Sequence, residues 1–342
     1  MDRILVGGYA DPLSAGIQIM DVDAKGQYAA ITSLSGIANP SYMARLGDMI
    51  YTVSETNAAA GLPGGVVAVS YRNGVLSAGV RRPSGGDWPC HIIVTRDGQH
   101  LVVSNYGTGN MALLRIGTNA DIAGLNDLRQ HVGSSANEAR QSGPHAHSAT
   151  MTPDGRFVIA ADLGTDELVL YSIQPQTNQL RRMHAVNAKP GSGPRHAVFH
   201  PSKPILYVAN EISCSVAVYA YTEDTLRPLW EHSTIATSLG DYTVADIHIS
   251  PDGEFLSVTT RGENTIATYR ILADGNLIRV EVVDCGGAWP RNFAFSPDGS
   301  YVLVACQHDN YIAVLPRDSA TGHIGARVGT IPVNGVSFIS FL

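Results

Sequence analysis

The sequence is poor in charge and has no long apolar run, and each shortage excludes a class of protein. Only 15% of the 342 residues are charged, and the net charge is −7. A nucleic-acid-binding surface would show a basic patch, and none is visible, so no nucleic-acid partner is expected. No apolar run reaches the roughly 18 residues that a membrane helix requires, so no membrane partner is expected either.

Cysteine is scarce, and the start of the chain does not resemble a secretion signal. The four cysteines stand far apart and form no C-x-x-C pair; they are Cys90, Cys214, Cys285 and Cys306. This spacing predicts reduced core thiols rather than disulfides. Residues 1–8 lack a basic segment followed by a long apolar one, and a cytoplasmic location is therefore expected.

Helical periodicity is almost absent, and short runs of Val, Ile, Tyr and Ala between turn residues indicate an all-β protein. One unit recurs: a leading proline, an apolar run, a tight turn, a second apolar run and a polar pair. The leading positions, 46 to 55 residues apart, are Pro40, Pro89, Pro144, Pro194, Val244 and Pro290. Four of the six turns contain Asp-Gly, which tolerates a positive φ at low cost.

Six such units, together with the two ends of the chain, predict a seven-bladed β-propeller. Residues 4–6 and 16–20 form two strands, and residues 336–341 can complete their blade. The period of about 49 residues is too long for a β-helix and too regular for sandwiches. We therefore expect a single domain over residues 1–342, with four-stranded antiparallel blades and the termini closing the ring in one shared blade.

Hairpin geometry predicts that polar residues remote in sequence meet at one mouth of the propeller. The leading residues and the polar pair lie at the hairpin end opposite the turn, and the first strand of each blade lines the channel. The side chains expected there include His91, Asn105, His145, His147, Arg195, His196, Glu211, Asp246, Arg261, Arg291 and Gln307. Arginines beside histidines and carboxylates favour an anionic ligand next to an acid/base group.

Metal binding is a less favoured interpretation of the same residues. His145 and His147 share one strand face and could bind zinc. The oxygen ligands that would suit calcium are those of Glu55, Asn105, Asp162, Asn210 and Glu211. Arginines at the same mouth would repel a cation, so no metal or other cofactor is expected. Four isolated histidines are expected to face solvent; they are His100, His184, His232 and His323.

In combination, these motifs resemble the seven-bladed lactonase family. The matching segments are residues 105–107, 144–148, 193–196, 210–211, 261–262 and 290–291. That family includes bacterial propeller-type 6-phosphogluconolactonases and fungal carboxymuconate lactonizing enzymes. The resemblance covers nearly the whole chain and implies hydrolysis of a small anionic sugar lactone. The family often has glutamate at Asp246 and asparagine at Thr260.

The resemblance and the hairpin geometry select the same catalytic residues. His147 is expected to carry the proton, with His145 as its rival. Arg195 is expected to stabilise the oxyanion or to clamp the anionic group. Glu211 either acts as the base or holds Arg195, and a purely structural bridge between the two stays open. The side chains expected to bind substrate are His91, Asn105, His145, His196, Arg261, Arg291 and Gln307.

Two other functions stay open at this point. A carboxymuconate cycloisomerase, acting on a small polycarboxylate, would use the same arginines and one acid/base group. A non-catalytic propeller would bind a small anion or a protein partner. Closed blades need no partner subunit for stability, so a monomer or a dimer is expected.

Overall fold

The computed structural model describes residues 1–222 and 224–342, and the regular secondary structure of these residues is almost wholly β-strand. Within them, 29 strands form seven antiparallel sheets. Two single-turn 3₁₀ helices span Ala58–Ala60 and Gln307–Asp309. The predicted fold class, an all-β seven-bladed β-propeller with four-stranded antiparallel blades, is confirmed.

The first sheet joins the two ends of the chain. Its strands are β1 (Asp2–Gly8), β2 (Ile17–Val22), β3 (Tyr28–Leu34) and β29 (Val336–Phe341). They lie in the order β29-β1-β2-β3. Leu5 pairs with Ser340, and Val6 pairs with Ile339. The predicted blade shared by the termini is confirmed.

The next three sheets are meanders of consecutive strands. The second contains β4 (Met43–Leu46), β5 (Met49–Ser54), β6 (Gly65–Arg72), β7 (Val75–Ala78) and a short extra strand, β8 (Arg82–Pro83). The third contains β9 (Pro89–Val94), β10 (His100–Asn105), β11 (Asn110–Ile116) and β12 (Ile122–Gln130). The fourth contains β13 (Ala146–Met151), β14 (Phe157–Asp162), β15 (Glu167–Gln174) and β16 (Gln179–Asn187).

The last three sheets repeat the same meander. The fifth contains β17 (Pro194–Phe199), β18 (Ile205–Asn210), β19 (Ser215–Thr222) and β20 (Thr225–Ser233). The sixth contains β21 (Thr243–Ile249), β22 (Phe255–Arg261), β23 (Thr265–Ile271) and β24 (Leu277–Asp284). The seventh contains β25 (Pro290–Phe295), β26 (Tyr301–Cys306), β27 (Tyr311–Pro316) and β28 (Gly329–Pro332).

The turn between the first two strands is built the same way in four sheets. A hydroxyl donates to the aspartate two residues on at 2.6–2.7 Å, and the following glycine has a φ of 69–78°. The hydroxyl residues are Thr95, Thr152, Ser250 and Ser296. Asp-Gly suits this turn because glycine adopts a positive φ without a steric cost.

The chain packs as two compact units, each with its own apolar clusters. Unit 1 comprises Met1–Tyr9, Ile17–Ile31 and Arg195–Leu342, and unit 2 comprises Ala10–Gly16 and Thr32–Pro194. Both units have sheets in which the second strand is buried at every position, as in β10, β14, β18, β22 and β26. All four cysteines are free and buried, as predicted. In the described part of the chain, no helix is long and apolar enough to cross a membrane.

One histidine prediction is wrong. His100 was expected to face solvent, but it is the first residue of β10 and only 5% exposed. The equivalent residue of the other sheets is apolar or aromatic, for example Phe157 and Tyr301. The fold therefore buries this position whatever residue occupies it.

Candidate active site

In unit 1, one buried carboxylate binds two arginines. Arg195 is the second residue of β17, Glu211 directly follows β18, and Arg261 ends β22. Arg195 Nε donates to Glu211 Oε2 at 3.0 Å. Arg261 Nη2 lies 3.0 Å from the same oxygen and also donates to the Val244 carbonyl at 2.9 Å. The predicted proximity of Arg195 and Glu211 is confirmed, and Arg261 joins them.

This cluster holds more positive than negative charge away from water. Arg195, Glu211 and Arg261 are 3–5% exposed. Burial lowers the pKa of Arg261 to about 10, although the Glu211 carboxylate opposes the shift. Arg261 Nε is buried and has no hydrogen-bond partner in the described structure. The cluster therefore has a donor available for an anionic group, while Glu211 holds the two arginines.

A second carboxylate of unit 1, Asp246, orients two histidines. His196 Nδ1 lies 2.7 Å from Asp246 Oδ1, and His248 Nε2 lies 2.8 Å from Asp246 Oδ2. Arg195 donates to His196 Nε2 at 3.1 Å, so the proton of a neutral His196 lies on Nδ1. Burial, followed by the charge of Arg195, lowers the pKa of His196 to about 4. Asn292 also donates to Asp246.

The pKa of His248 moves the other way. Burial alone would lower the pKa of His248, but the charge and hydrogen bond of Asp246 outweigh it and raise the pKa. Asp246 itself keeps a pKa well below its usual range, because the two histidines outweigh the effect of burial. The aspartate at this position thus serves as the negative centre of a histidine network.

Trp289 extends the arginine cluster. Its ring centre lies 5.4 Å from the Arg261 guanidinium carbon and 4.6 Å from the His308 ring, which stacks on it. Trp289 has a φ of 61°, which is rare for a bulky residue. Gln307 lies beside this turn and donates its backbone N–H to the Trp289 carbonyl at 3.2 Å. Its Oε1 is buried and has no hydrogen-bond partner among the residues that the structure describes. Arg291 donates to the Tyr9 hydroxyl.

Sequence reasoning missed Trp289. A signal was present, because Trp-Pro occurs at two leading prolines, Pro89 and Pro290. Trp88 also has a left-handed φ, of 51°. Backbone conformations of this kind concentrate at functional sites.

Unit 2 holds the predicted histidines near Tyr106. His145 Nδ1 lies 2.9 Å from the Tyr106 carbonyl, and its ring stacks on Tyr106 with centres 4.5 Å apart. A carbonyl can only accept, so Nδ1 carries the proton and Nε2 keeps its lone pair. His147 is 6% exposed, and its carbonyl accepts the Cys90 thiol at 3.2 Å. His91 packs on the Tyr42 ring at 4.2 Å.

Other polar residues of unit 2 are fully buried. Asn105 donates to the Ser84 carbonyl at 3.1 Å and to Asn110 at 2.8 Å. Asp162 accepts three backbone N–H groups through Oδ1, and its Oδ2 lies 2.6 Å from His131 Nδ1. His131, which sequence reasoning missed, stands outside the recurring motif. These contacts hold the loop that precedes β13 in place.

The sequence offered calcium or zinc binding as an alternative, and the structure shows where the side chains that could bind a metal lie. Among residues 1–222 and 224–342, no group of three His, Cys, Asp or Glu side chains lies close enough to hold a metal ion. His145 and His147 each contact Tyr106, at 4.5 and 5.5 Å between ring centres.

Comparisons with known proteins agree on one family. A family profile described as "Lactonase, 7-bladed beta-propeller" matches residues 3–341. The chain is 30% identical to a 6-phosphogluconolactonase of Formosa agariphila over 98% of both chains. It is 28% identical to the 6-phosphogluconolactonase of Bacillus subtilis, over 98% of this chain and 97% of that protein.

A solved structure gives the same result. The periplasmic gluconolactonase of Pseudomonas aeruginosa matches with a TM-score of 0.93 at 29% identity, covering 100% of this chain and 99% of that one. The resemblance seen in the motifs and the predicted lactonase class are confirmed at the level of the family: the chain belongs to the seven-bladed β-propeller lactonases.

Proposed function

We propose that the protein hydrolyses a small anionic sugar lactone at the propeller mouth, as a 6-phosphogluconolactonase does, by acid/base chemistry without a metal. The cluster of Arg195, Glu211 and Arg261 carries this proposal. Two buried guanidinium groups share one carboxylate, and an excess of buried charge is costly unless a ligand offsets it. The names of the relatives support the lactone class.

The arginines supply the electrostatic part of the reaction. Attack of water on the lactone carbonyl produces an oxyanion, and donors already in place stabilise it without reorganisation. The free Nε–H of Arg261 suits this role. Arg291 holds the anionic tail of the substrate, and the unpartnered Oε1 of Gln307 accepts a ring hydroxyl.

We assign the general base to His145 rather than His147. The hydrogen bond from Nδ1 to the Tyr106 carbonyl leaves Nε2 of His145 able to take a proton from water. His147 is more deeply buried and, with His91, supports the surroundings of the base. Glu211 orients the arginines instead of acting as the base. His196 and Asn105 hold their neighbours in place.

The test is hydrolysis of 6-phosphogluconolactone and gluconolactone, measured above the spontaneous rate with chelator present. Wild-type protein should turn over the phosphorylated lactone faster, and Arg195→Ala should lose about 100-fold or more in kcat/KM. Arg3→Ala removes an arginine from an exposed ion pair and serves as the control.

Two results would contradict the proposal: full activity in a folded Arg195→Ala variant, and complete dependence on a divalent ion. Conversion of carboxymuconate in place of either lactone would assign the site to a cycloisomerase.

The cytoplasmic location also stays a proposal, which fractionation of the native organism would test.

A further inference from the structure

Unit 2 contains a cavity of about 580 Å³ at the turn end of the third and fourth sheets. It is lined by Arg96 and His100 from one sheet and by Arg156 from the other. His100 begins β10 and Asn105 ends it, so the cavity lies a strand length, roughly 17 Å, from the predicted site residues of the same sheet. Nothing in the proposed lactonase chemistry uses it.

Two residues of this cavity depart from the repeat of the chain itself. Arg96 stands where Pro153, Pro251 and Pro297 stand in the equivalent turns. His100 stands where the other sheets have apolar or aromatic residues, namely Phe157, Ile205, Phe255 and Tyr301.

The turn itself does not require the arginine. The Thr95 hydroxyl donates to Asp97 at 2.6 Å and accepts the His100 N–H at 3.0 Å. The matching turn of the fourth sheet has the same two bonds, at 2.6 and 3.0 Å. The turn therefore forms with proline or with arginine, and a role in binding accounts for the arginine.

Three arginines give the cavity its charge. Arg96 passes over Gly155, where a Cβ would lie 2.8 Å from its Cδ, and donates to the Pro153 carbonyl. Arg156 lies with its guanidinium carbon 5.0 Å from the Phe157 ring centre. Arg115 lies opposite His100 in the β10–β11 register. It is exposed and has no ion pair within the described residues.

The acidic residues of the cavity cancel only part of this charge. Asp97 and Asp154 both accept the hydroxyl and a backbone N–H of their own turns. Asp154 also forms an ion pair with Arg156 at 3.8 Å, so three arginines face two aspartates and the lining keeps an excess of one positive charge, in a chain whose net charge is −7. Guanidinium groups bind phosphate oxygens in pairs of parallel hydrogen bonds.

His100 supplies a second, independent observation. Its side chain lines the cavity and is buried, and its Nδ1 has no hydrogen-bond partner in the part of the chain that the structure describes. An unsatisfied buried nitrogen calls for a missing partner. The lining also includes the apolar residues Met151, Val158 and Ile173, which suit the body of a ring compound.

We propose that this cavity binds a phosphate monoester of a ring-sized metabolite. The arginines contact the phosphate, and the ring lies against the apolar residues of the lining. The volume is within the usual range for small-molecule sites. Sugar phosphates and nucleoside monophosphates share this chemistry, and the experiment separates them.

The experiment is calorimetric titration of the full chain with glucose 6-phosphate, adenosine 5′-monophosphate and inorganic phosphate. One of the two esters should bind, and Arg115→Gln should weaken it about tenfold, because a charge-assisted bond is lost. The matched control is Arg270→Gln. Arg270 lies opposite Phe255 as Arg115 lies opposite His100, in a crevice lined by Asp252, Glu254 and Asp298.

A second variant restores the repeat. Arg96→Pro combined with His100→Phe should fold normally and bind neither ester. Binding should persist in Arg195→Ala, which separates the cavity from the proposed active site, so that failure of either proposal leaves the other intact. No binding of either ester, equal binding by inorganic phosphate, or unchanged affinity in Arg115→Gln would overturn the proposal.

Discussion

At the scale of single residues, the central feature is a carboxylate that serves two arginines. Glu211 lies 16 positions after Arg195, and the hairpin brings their side chains to 3.0 Å. Both printed ion pairs of the Glu211 carboxylate are made by its Oε2, one to each guanidinium group. In the proposed mechanism, Glu211 therefore holds the two arginines in place instead of acting as the base.

Replacement of Glu211 by glutamine tests this role. Glu211→Gln leaves two buried guanidinium groups without a counter-charge, and we expect the free energy of unfolding in urea to fall by about 3 kcal/mol. Glu167→Gln, which breaks an exposed pair with Arg182, should cost less than about 1 kcal/mol. Lost hydrolysis with unchanged stability would instead identify Glu211 as the base.

His196 gives the protein a dependence on pH. Its pKa falls from 6.5 to about 4 on folding, so between these values the unfolded chain binds a proton that the folded chain does not. The folded state therefore loses stability as pH falls, by about 2 kcal/mol between pH 7.5 and 5. His196→Asn should lose correspondingly less in urea unfolding at the two pH values. The control is His323→Asn, at an exposed position, which should keep the pH dependence of the wild type. If His196→Asn also kept that pH dependence, the assignment would be contradicted.

At the scale of elements, the turns before four leading prolines share one backbone conformation. Asn39, Trp88, Gly193 and Trp289 precede leading prolines, and all four have a positive φ of 46–67°. This shared conformation directs the side chain out of the strand register. In the seventh sheet it brings the Trp289 ring to Arg261.

Trp289 is open to a test that separates packing from catalysis. Trp289→Gly keeps the left-handed backbone without strain and removes the ring from Arg261. We expect kcat/KM for the anionic lactone to fall about fivefold, since a cation–π contact contributes about 1 kcal/mol. Trp289→Phe, which retains an aromatic face, should recover most of the activity. A loss of stability without a change in kcat/KM would show that the ring only packs.

The strand ends and the contacts between sheets also show how much of the site the sequence predicts. The repeat locates strand ends, so it predicts the pairing of Arg195 with Glu211. It does not describe contacts between sheets, and the bond from Arg261 to Glu211 and the histidine pair on Asp246 were therefore not predicted. The burial of His100 was missed because it was judged as an isolated histidine, whereas its place in the repeat, equivalent to Phe157 and Tyr301, predicts a buried side chain.

At the scale of the whole molecule, the fold was predictable because the same pattern recurs six times in the sequence, and the two ends of the chain form the seventh blade. Period, turn chemistry and strand alternation all indicate one architecture, and the seven sheets follow it. The extra strand β8, Arg82–Pro83, was not predicted, because two residues are too short to show alternation. Such regularity makes departures from the repeat informative, as Arg96 and His100 illustrate.

The pairing of β1 with β29 means that the order of the chain is not essential to the fold. Leu342 N–H donates to the Arg3 carbonyl at 2.9 Å, so the two termini are neighbours in space. A short linker can join them, and a new start can be placed in the exposed hairpin turn at Asn73 and Gly74. Circular permutation of this kind would replace a hydrogen-bonded closure with a covalent one and leave every strand in its sheet.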